Sequence, residues 1–271
     1  MSTPTVIDPS DKNQRMLALL NYKGHLISFD YGSAKMHISR DGQTLYTSAV
    51  KFKRKITDGH TKTHDWNSNR NVQLEGDMLY FIDTSSNIVI FDLKKLLDMP
   101  LECRNSYEPL KGPTGQFEDF CVDKGQISTL TMAGEIASGG KQANLKEKGL
   151  GTQFSTIETL AGYFVVASYD TAKKCKVFAV LNSDLVALAT LTVAGEYMVQ
   201  NMLLFVKDST LHILSARNRH RVDHLLFNGD AIHLLNTFET NSSYTMGVVW
   251  LTDGEQAIVC GDTNTLKTIK L

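Results

Sequence analysis

Along most of the chain, short apolar or alternating runs are separated by Gly, Asn, Asp and Ser, and the 3.6-residue period of an amphipathic helix is hard to find. The first unit reads LALLNY from Leu17, HLISFDY from His25, AKMHIS from Ala34 and TLYTS from Thr44. The dipeptides between them, Lys23-Gly24, Gly32-Ser33 and Asp41-Gly42, have the composition of tight hairpins, because Gly accepts the positive φ that type I′ and II′ turns demand. The same grammar returns with NVQLE from Asn71, MLYFID from Met78 and NIVIFDL from Asn87. It continues with EDFCVD from Glu118, QISTLTM from Gln126 and EIAS from Glu135. Then come TIETLA from Thr156, YFVVASYD from Tyr163, KVFAVLN from Lys176 and LVALATLTV from Leu185. From Met198 onward the strands are MVQNMLLFV, TLHILSA, RVDHLLF, IHLLNTFE, YTMGVVWLTD, QAIVCGD and TLKTIKL, the last ending at Leu271.

This pattern predicts an all-β chain. Six units between residues 16 and 271 average about 43 residues, inside the roughly 40–45 of a four-stranded propeller blade, whereas seven would average about 37. Two immunoglobulin-like sandwiches would need a linker near the midpoint, and the composition shows none. A propeller also leaves only short sheet edges. The expectation is a single β-propeller of about six, alternatively seven, four-stranded blades over residues 16–271, preceded by a polar tail at residues 1–15. The Gly-framed basic stretch at residues 138–151 reads as an inter-blade loop, since its Lys141 is followed by Gln rather than the Ser or Thr of a phosphate loop.

The run Asn87-Ile88-Val89-Ile90-Phe91-Asp92-Leu93-Lys94 resembles the third-strand signature of WD-repeat proteins, with Phe91 where the usual Trp stands and Asp92 matching the Asp. The segments from Thr210 and Thr265 hold equivalent places without the Trp-Asp pair, and the Gly24-His25 and Gly59-His60 pairs lie off the family's spacing. The resemblance to WD-repeat propellers implies a non-enzymatic scaffold that presents loops to other proteins.

Composition narrows the partners. The chain is 42% hydrophobic and 21% charged with 5 Pro, which excludes disordered and collagen-like classes. Its 28 basic against 29 acidic residues give a net charge of −1, so any nucleic-acid or membrane attraction must be local. Cys103, Cys121, Cys175 and Cys260 lack the close spacing of a zinc knuckle or a disulfide framework. The first residues hold no apolar signal core and no run spans a bilayer, so the expected location is cytoplasmic or nuclear, with no membrane partner.

Candidate chemistry is sparse. No nucleophile elbow, P-loop or dinucleotide fingerprint occurs. Ser39-Arg40-Asp41-Gly42-Gln43-Thr44 starts like a sialidase Asp box but places its Gly one position early and lacks the Trp. His60 with His64, and His220 with His224, have the spacing of helical metal ligands. On a strand that spacing puts them about 13 Å apart, too far to chelate, and they read as solvated loop histidines. Glu118-Asp119 and Asp253-Gly254-Glu255 read as strand-edge or turn acids. We therefore expect no catalytic residue, no metal and no cofactor.

Charge is the strongest local feature. Lys51, Lys53, Arg54 and Lys55 precede Trp66, a combination suited to an acidic protein or a phosphate backbone. Arg217, Arg219 and Arg221 form a second cluster in a turn. These eight residues are the expected partner-binding set. The expected function is a protein-interaction scaffold within a larger intracellular assembly; one alternative is a propeller that contacts RNA or DNA through these basic loops, and a second is a propeller hydrolase.

Overall fold

The computed structural model describes residues 16–30, 34–52, 72–195, 199–217, 221–239, 245–252, 256–261 and 266–270. Their strands form six antiparallel sheets, each an up-and-down meander in sequence order. Sheet 1 is β1 (Met16–Tyr22), β2 (His25–Asp30), β3 (Lys35–Arg40) and β4 (Gln43–Lys51). Sheet 2 is β5 (Val72–Glu75), β6 (Met78–Ile82), β7 (Asn87–Asp92) and β8 (Leu110–Thr114). Sheet 3 is β9 (Phe117–Asp123), β10 (Gln126–Thr131), β11 (Glu135–Ser138) and β12 (Lys141–Asn144). Sheet 4 is β13 (Gln153–Leu160), β14 (Tyr163–Asp170), β15 (Cys175–Leu181) and β16 (Ala187–Ala194). Sheet 5 is β17 (Val199–Lys207), β18 (Thr210–Arg217), β19 (Arg221–Phe227) and β20 (Ile232–Glu239). Sheet 6 has three described strands, β21 (Thr245–Thr252), β22 (Gln256–Gly261) and β23 (Leu266–Lys270).

Turn chemistry sets the registers. Lys23 and Gly24 have φ of 49° and 81°, and Asp41 and Gly42 have 51° and 79°, the two successive left-handed residues of the hairpins expected there. Longer turns are closed by side chains that mimic a backbone carbonyl. Asn182 Oδ1 accepts from the amides of Asp184 (2.9 Å) and Val186 (3.0 Å), and Asn228 Oδ1 does the same for Asp230 (3.1 Å) and Ala231 (3.0 Å).

The contacts divide the chain into two units, residues 1–67 with 71–115, and residues 68–70 with 116–271. In the first unit aromatic rings bind sheets 1 and 2 together. Phe29 meets Phe52 and Phe81 edge-on at 5.4 and 5.5 Å, and Phe81 stacks on Phe91 at 5.5 Å. Phe91, the residue in the Trp position of the WD-like run, also touches Tyr46 and stacks on Tyr107 at 5.6 Å. Asp92 does not end that strand in a plain turn. Its carboxylate accepts from the Lys95 amide at 2.9 Å and caps helix α1 (Leu93–Asp98), which buries Leu93 and Leu96 and leads into a 3-10 helix at Leu101–Ser106. This helical excursion is absent from the sequence expectation, because a six-residue helix is too short to show a period.

In the second unit the opening strands β9, β13, β17 and β21 contact one another in succession, so successive sheets pack face to face. Strand β14 shows why its sequence is continuously apolar. Phe164 and Val166 enter the core shared with sheet 3, while Val165 and Ala167 enter the core shared with sheet 5. Two buried polar links cross these interfaces. Asp119 Oδ2 accepts from Thr156 Oγ1 (2.7 Å) and the Ile157 amide (2.9 Å), and Lys176 pairs with Asp223 at 2.8 Å with both side chains fully buried. Asp223 Oδ1 also accepts from Thr237 Oγ1 at 2.9 Å.

Two expectations are corrected here. Residues 138–151 are not a plain loop: Lys141–Asn144 is the fourth strand of sheet 3, paired to β11 through a turn at Gly139-Gly140. Its polar sequence hid it because an outer strand needs no apolar face. Glu118 and Asp119 are not edge acids but are buried, 3% and 1% exposed.

Candidate functional site

The basic residues are only partly inside the described chain. Lys51 ends β4, exposed, with its carbonyl accepting from the Thr84 amide at 3.1 Å, so its backbone joins sheets 1 and 2. Lys53, Arg54, Lys55, Trp66 and Arg219 lie outside the described residues, as does the His60 and His64 pair. Arg217 is the last residue of β18 and Arg221 the first of β19, and residues 218–220 between them lie outside the described residues. Arg221 is not an unbalanced cation, since its Nε meets Glu239 Oε1 on β20 at 2.7 Å. Lys51 and Arg221 belong to different units.

One histidine of the second pair has a partner in the fold. His220 is outside the described residues, and His224 Nε2 faces His212 Nδ1 across the β18–β19 ladder at 2.9 Å. His212 stacks on Phe205 at 4.7 Å, and its other ring nitrogen meets Thr210 Oγ1 at 3.0 Å. These are not solvated loop histidines. Burial, then the neighbouring His212 and Lys207, pull His224 down to about 4, and burial lowers His212 too, so the pair is neutral near pH 7 with one ring donating to the other. No group of three or more metal-ligating side chains occurs among the described residues.

The outer strands carry the other notable feature. In three sheets the last strand bears a leucine as the extra residue of a β-bulge: Leu45 in β4, Leu188 in β16 and Leu235 in β20. In the first unit Leu45 is half-buried, and the 3-10 helix lies against β4. Arg104 of that helix donates to the carbonyls of Leu97 (2.7 Å), Met99 (3.1 Å) and Leu45 (3.5 Å). In the second unit, Leu188 (41% exposed), Leu234 (44%) and Leu235 (51%) face solvent on β16 and β20, strands that touch, and Val186 (51%) faces solvent in the turn just before β16. Sequence reasoning passed over these residues because a Leu pair inside an apolar strand reads as core. The usable signal was the doublet Leu234-Leu235 itself, which breaks strict alternation.

No family model matches the chain, and no curated protein matches it by sequence. Solved structures do. A COPII outer coat vertex assembled on membranes is similar over 95% of this chain and 70% of its own, at 12% identity and a TM-score of 0.63. A second structure of the COPII coat matches with the same score over 39% of its chain. BamB from Moraxella catarrhalis is similar over 93% of this chain and 71% of its own, at 10% identity and a TM-score of 0.51. The chain has the β-propeller fold. Its six sheets are the blades, five with four strands and one with three among the described residues, in agreement with the count of about six. At these identities the likeness is one of fold. No helix among the described residues is long and apolar enough to cross a membrane.

Proposed function

We propose that this propeller is a non-enzymatic protein-interaction scaffold, a WD-repeat-like subunit of a larger assembly. The observation that carries the reading is the set of uncovered apolar side chains along the outer strands of sheets 4 and 5, Leu188, Leu234 and Leu235, with Val186 in the turn that leads into the first of them. Isolated exposed leucines are ordinary on soluble proteins, but three on two touching strands, with Val186 at the end of one, are the composition of a contact surface. The likeness to propellers of an assembled coat supports the same class of role. The basic set Lys51, Lys53, Arg54, Lys55, Trp66, Arg217, Arg219 and Arg221 is the second proposed contact region.

The test is affinity capture from a native lysate with three baits: the wild type, a variant with Leu188→Ser and Leu235→Ser, and a variant with Lys53, Arg54, Lys55 and Trp66 replaced by Ala. Protein partners held by the wild type and lost from the leucine variant support the scaffold and its rim surface. Nucleic acid that is held by the wild type, lost from the basic variant and released at higher salt would replace the scaffold with the nucleic-acid reading.

A further inference from the structure

At the turn ends of sheets 3 and 4 the second unit holds an open cavity of about 340 Å³, at the lower end of the size range of small-molecule sites. We propose that it binds a neutral polyhydroxylated ligand the size of a monosaccharide. This goes beyond the scaffold reading and does not depend on it.

The chemistry of the wall selects the ligand. Ser128 and Ser138, 2% and 6% exposed, form a buried hydroxyl pair at 2.7 Å, and the Gln126 amide nitrogen donates to Ser138 at 2.8 Å. Hydroxyls and carboxamides each donate and accept, so this chain complements a ligand whose own groups do both. Thr159 Oγ1 spends its proton on the Tyr163 carbonyl at 3.0 Å and keeps its lone pairs for an incoming donor. Sugar hydroxyls answer both kinds of group, whereas a carboxylate offers acceptors only.

Charge points the same way. The lining carries two lysines and one aspartate, but Lys141 is held by Asp184 just outside it at 2.6 Å and by the Ser183 carbonyl at 3.0 Å, and Asp123 is the chain neighbour of Lys124, so each lysine has a carboxylate close by. Phe164, 8% exposed, supplies an apolar wall of the kind a sugar's C–H face packs on. Gly139 gives the Gln126 amide its place. A Cβ at Gly139 would stand 2.9 and 3.2 Å from the nitrogen and oxygen of the Gln126 amide and displace it, while a Cβ at Gly162 would meet nothing within 4 Å.

Saturation-transfer NMR and calorimetry on the full chain, with glucose, galactose, mannose, N-acetylglucosamine and myo-inositol beside inorganic phosphate, test the proposal. At least one polyol should saturate at millimolar concentration or below while phosphate does not. Gln126→Leu and Ser138→Ala should each weaken it about tenfold, the loss of one hydrogen bond worth about 1.4 kcal/mol. Thr159→Val, nearly isosteric, keeps the test decisive if Ser138→Ala unfolds. Binding of phosphate alone, silence of every polyol, or polyol binding that none of the three variants changes would overturn it.

Discussion

The two units hold their sheets together by different physics. In residues 71–115 and the sheet before them, the rings of Phe29, Phe52, Phe81, Phe91 and Tyr46 pack with aliphatic side chains such as Ile27, Ile38, Leu79 and Ile88, and beside the tyrosines the sole buried polar side chain described there is Ser48. In residues 116–271 the cores again mix aliphatic side chains with rings such as Phe154 and Phe178, but Asp119, Ser128, Ser138, Ser168, Lys176, Asn201, His212 and Asp223 are buried among them. Ring packing tolerates many alignments, because dispersion and area burial are non-directional. Hydrogen bonds and ion pairs across an interface tolerate few, so the second unit fixes sheet against sheet by bonds that only one register satisfies. The outer strands differ as well: the first unit covers its bulged Leu45 with a 3-10 helix, while the second leaves Leu188 and Leu235 bare.

The largest effects should separate the two kinds of interior. Lys176→Ala strands Asp223 in the core and should cost about 3–5 kcal/mol in denaturant unfolding, whereas Lys176→Met with Asp223→Leu should recover most of that loss. Phe81→Ala should cost about as much, 3–5 kcal/mol, through the cavity it leaves, but Phe81→Leu should cost far less. If the apolar double variant stayed as unstable as Lys176→Ala, the loss would belong to the missing pair itself and not to a stranded carboxylate. Asp119→Ala comes next, at about 1–3 kcal/mol, by leaving the Thr156 hydroxyl and the Ile157 amide buried without their acceptor.

A smaller, pH-dependent effect belongs to the histidines. His224 is held at about 4 in the fold, against an ordinary value of about 6.5 in the unfolded chain. Between those values the unfolded chain takes a proton that the folded pair refuses. Stability from this pair is therefore complete above about pH 6.5 and is lost as pH falls towards 4. The melting temperature should drop from pH 7 to pH 5 in the wild type and drop less in His224→Phe; equal slopes would remove the pair as the cause. The smallest effect on folding should come from Leu188→Ser with Leu235→Ser, within about 0.5 kcal/mol per site, since both side chains already meet water. A large loss there would mean that the rim is part of the core and not a surface for partners.

Sheets 1, 4 and 5 were readable strand by strand because each carries an apolar face and glycine or asparagine turns. The short polar strand β12 and helix α1 were not, since one lacks an apolar face and the other lacks the length for a period. The charged loops stood out in the sequence because charge needs no fold to be seen. The apolar rim and the hydroxyl-lined cavity did not, because Leu235 differs from a core leucine only by what fails to cover it.

The sequence alone determined an all-β chain of about six hairpin-linked units, because period-two patterning and turn residues act over a few neighbours. Tertiary structure decided which polar residues meet: His224 with His212, Lys176 with Asp223 across 47 positions, Asp119 with Thr156 across 37. The histidine pair comes from the register of two strands in one sheet and the other two from the stacking of one sheet on the next, and local sequence encodes neither the register nor the distance between sheets.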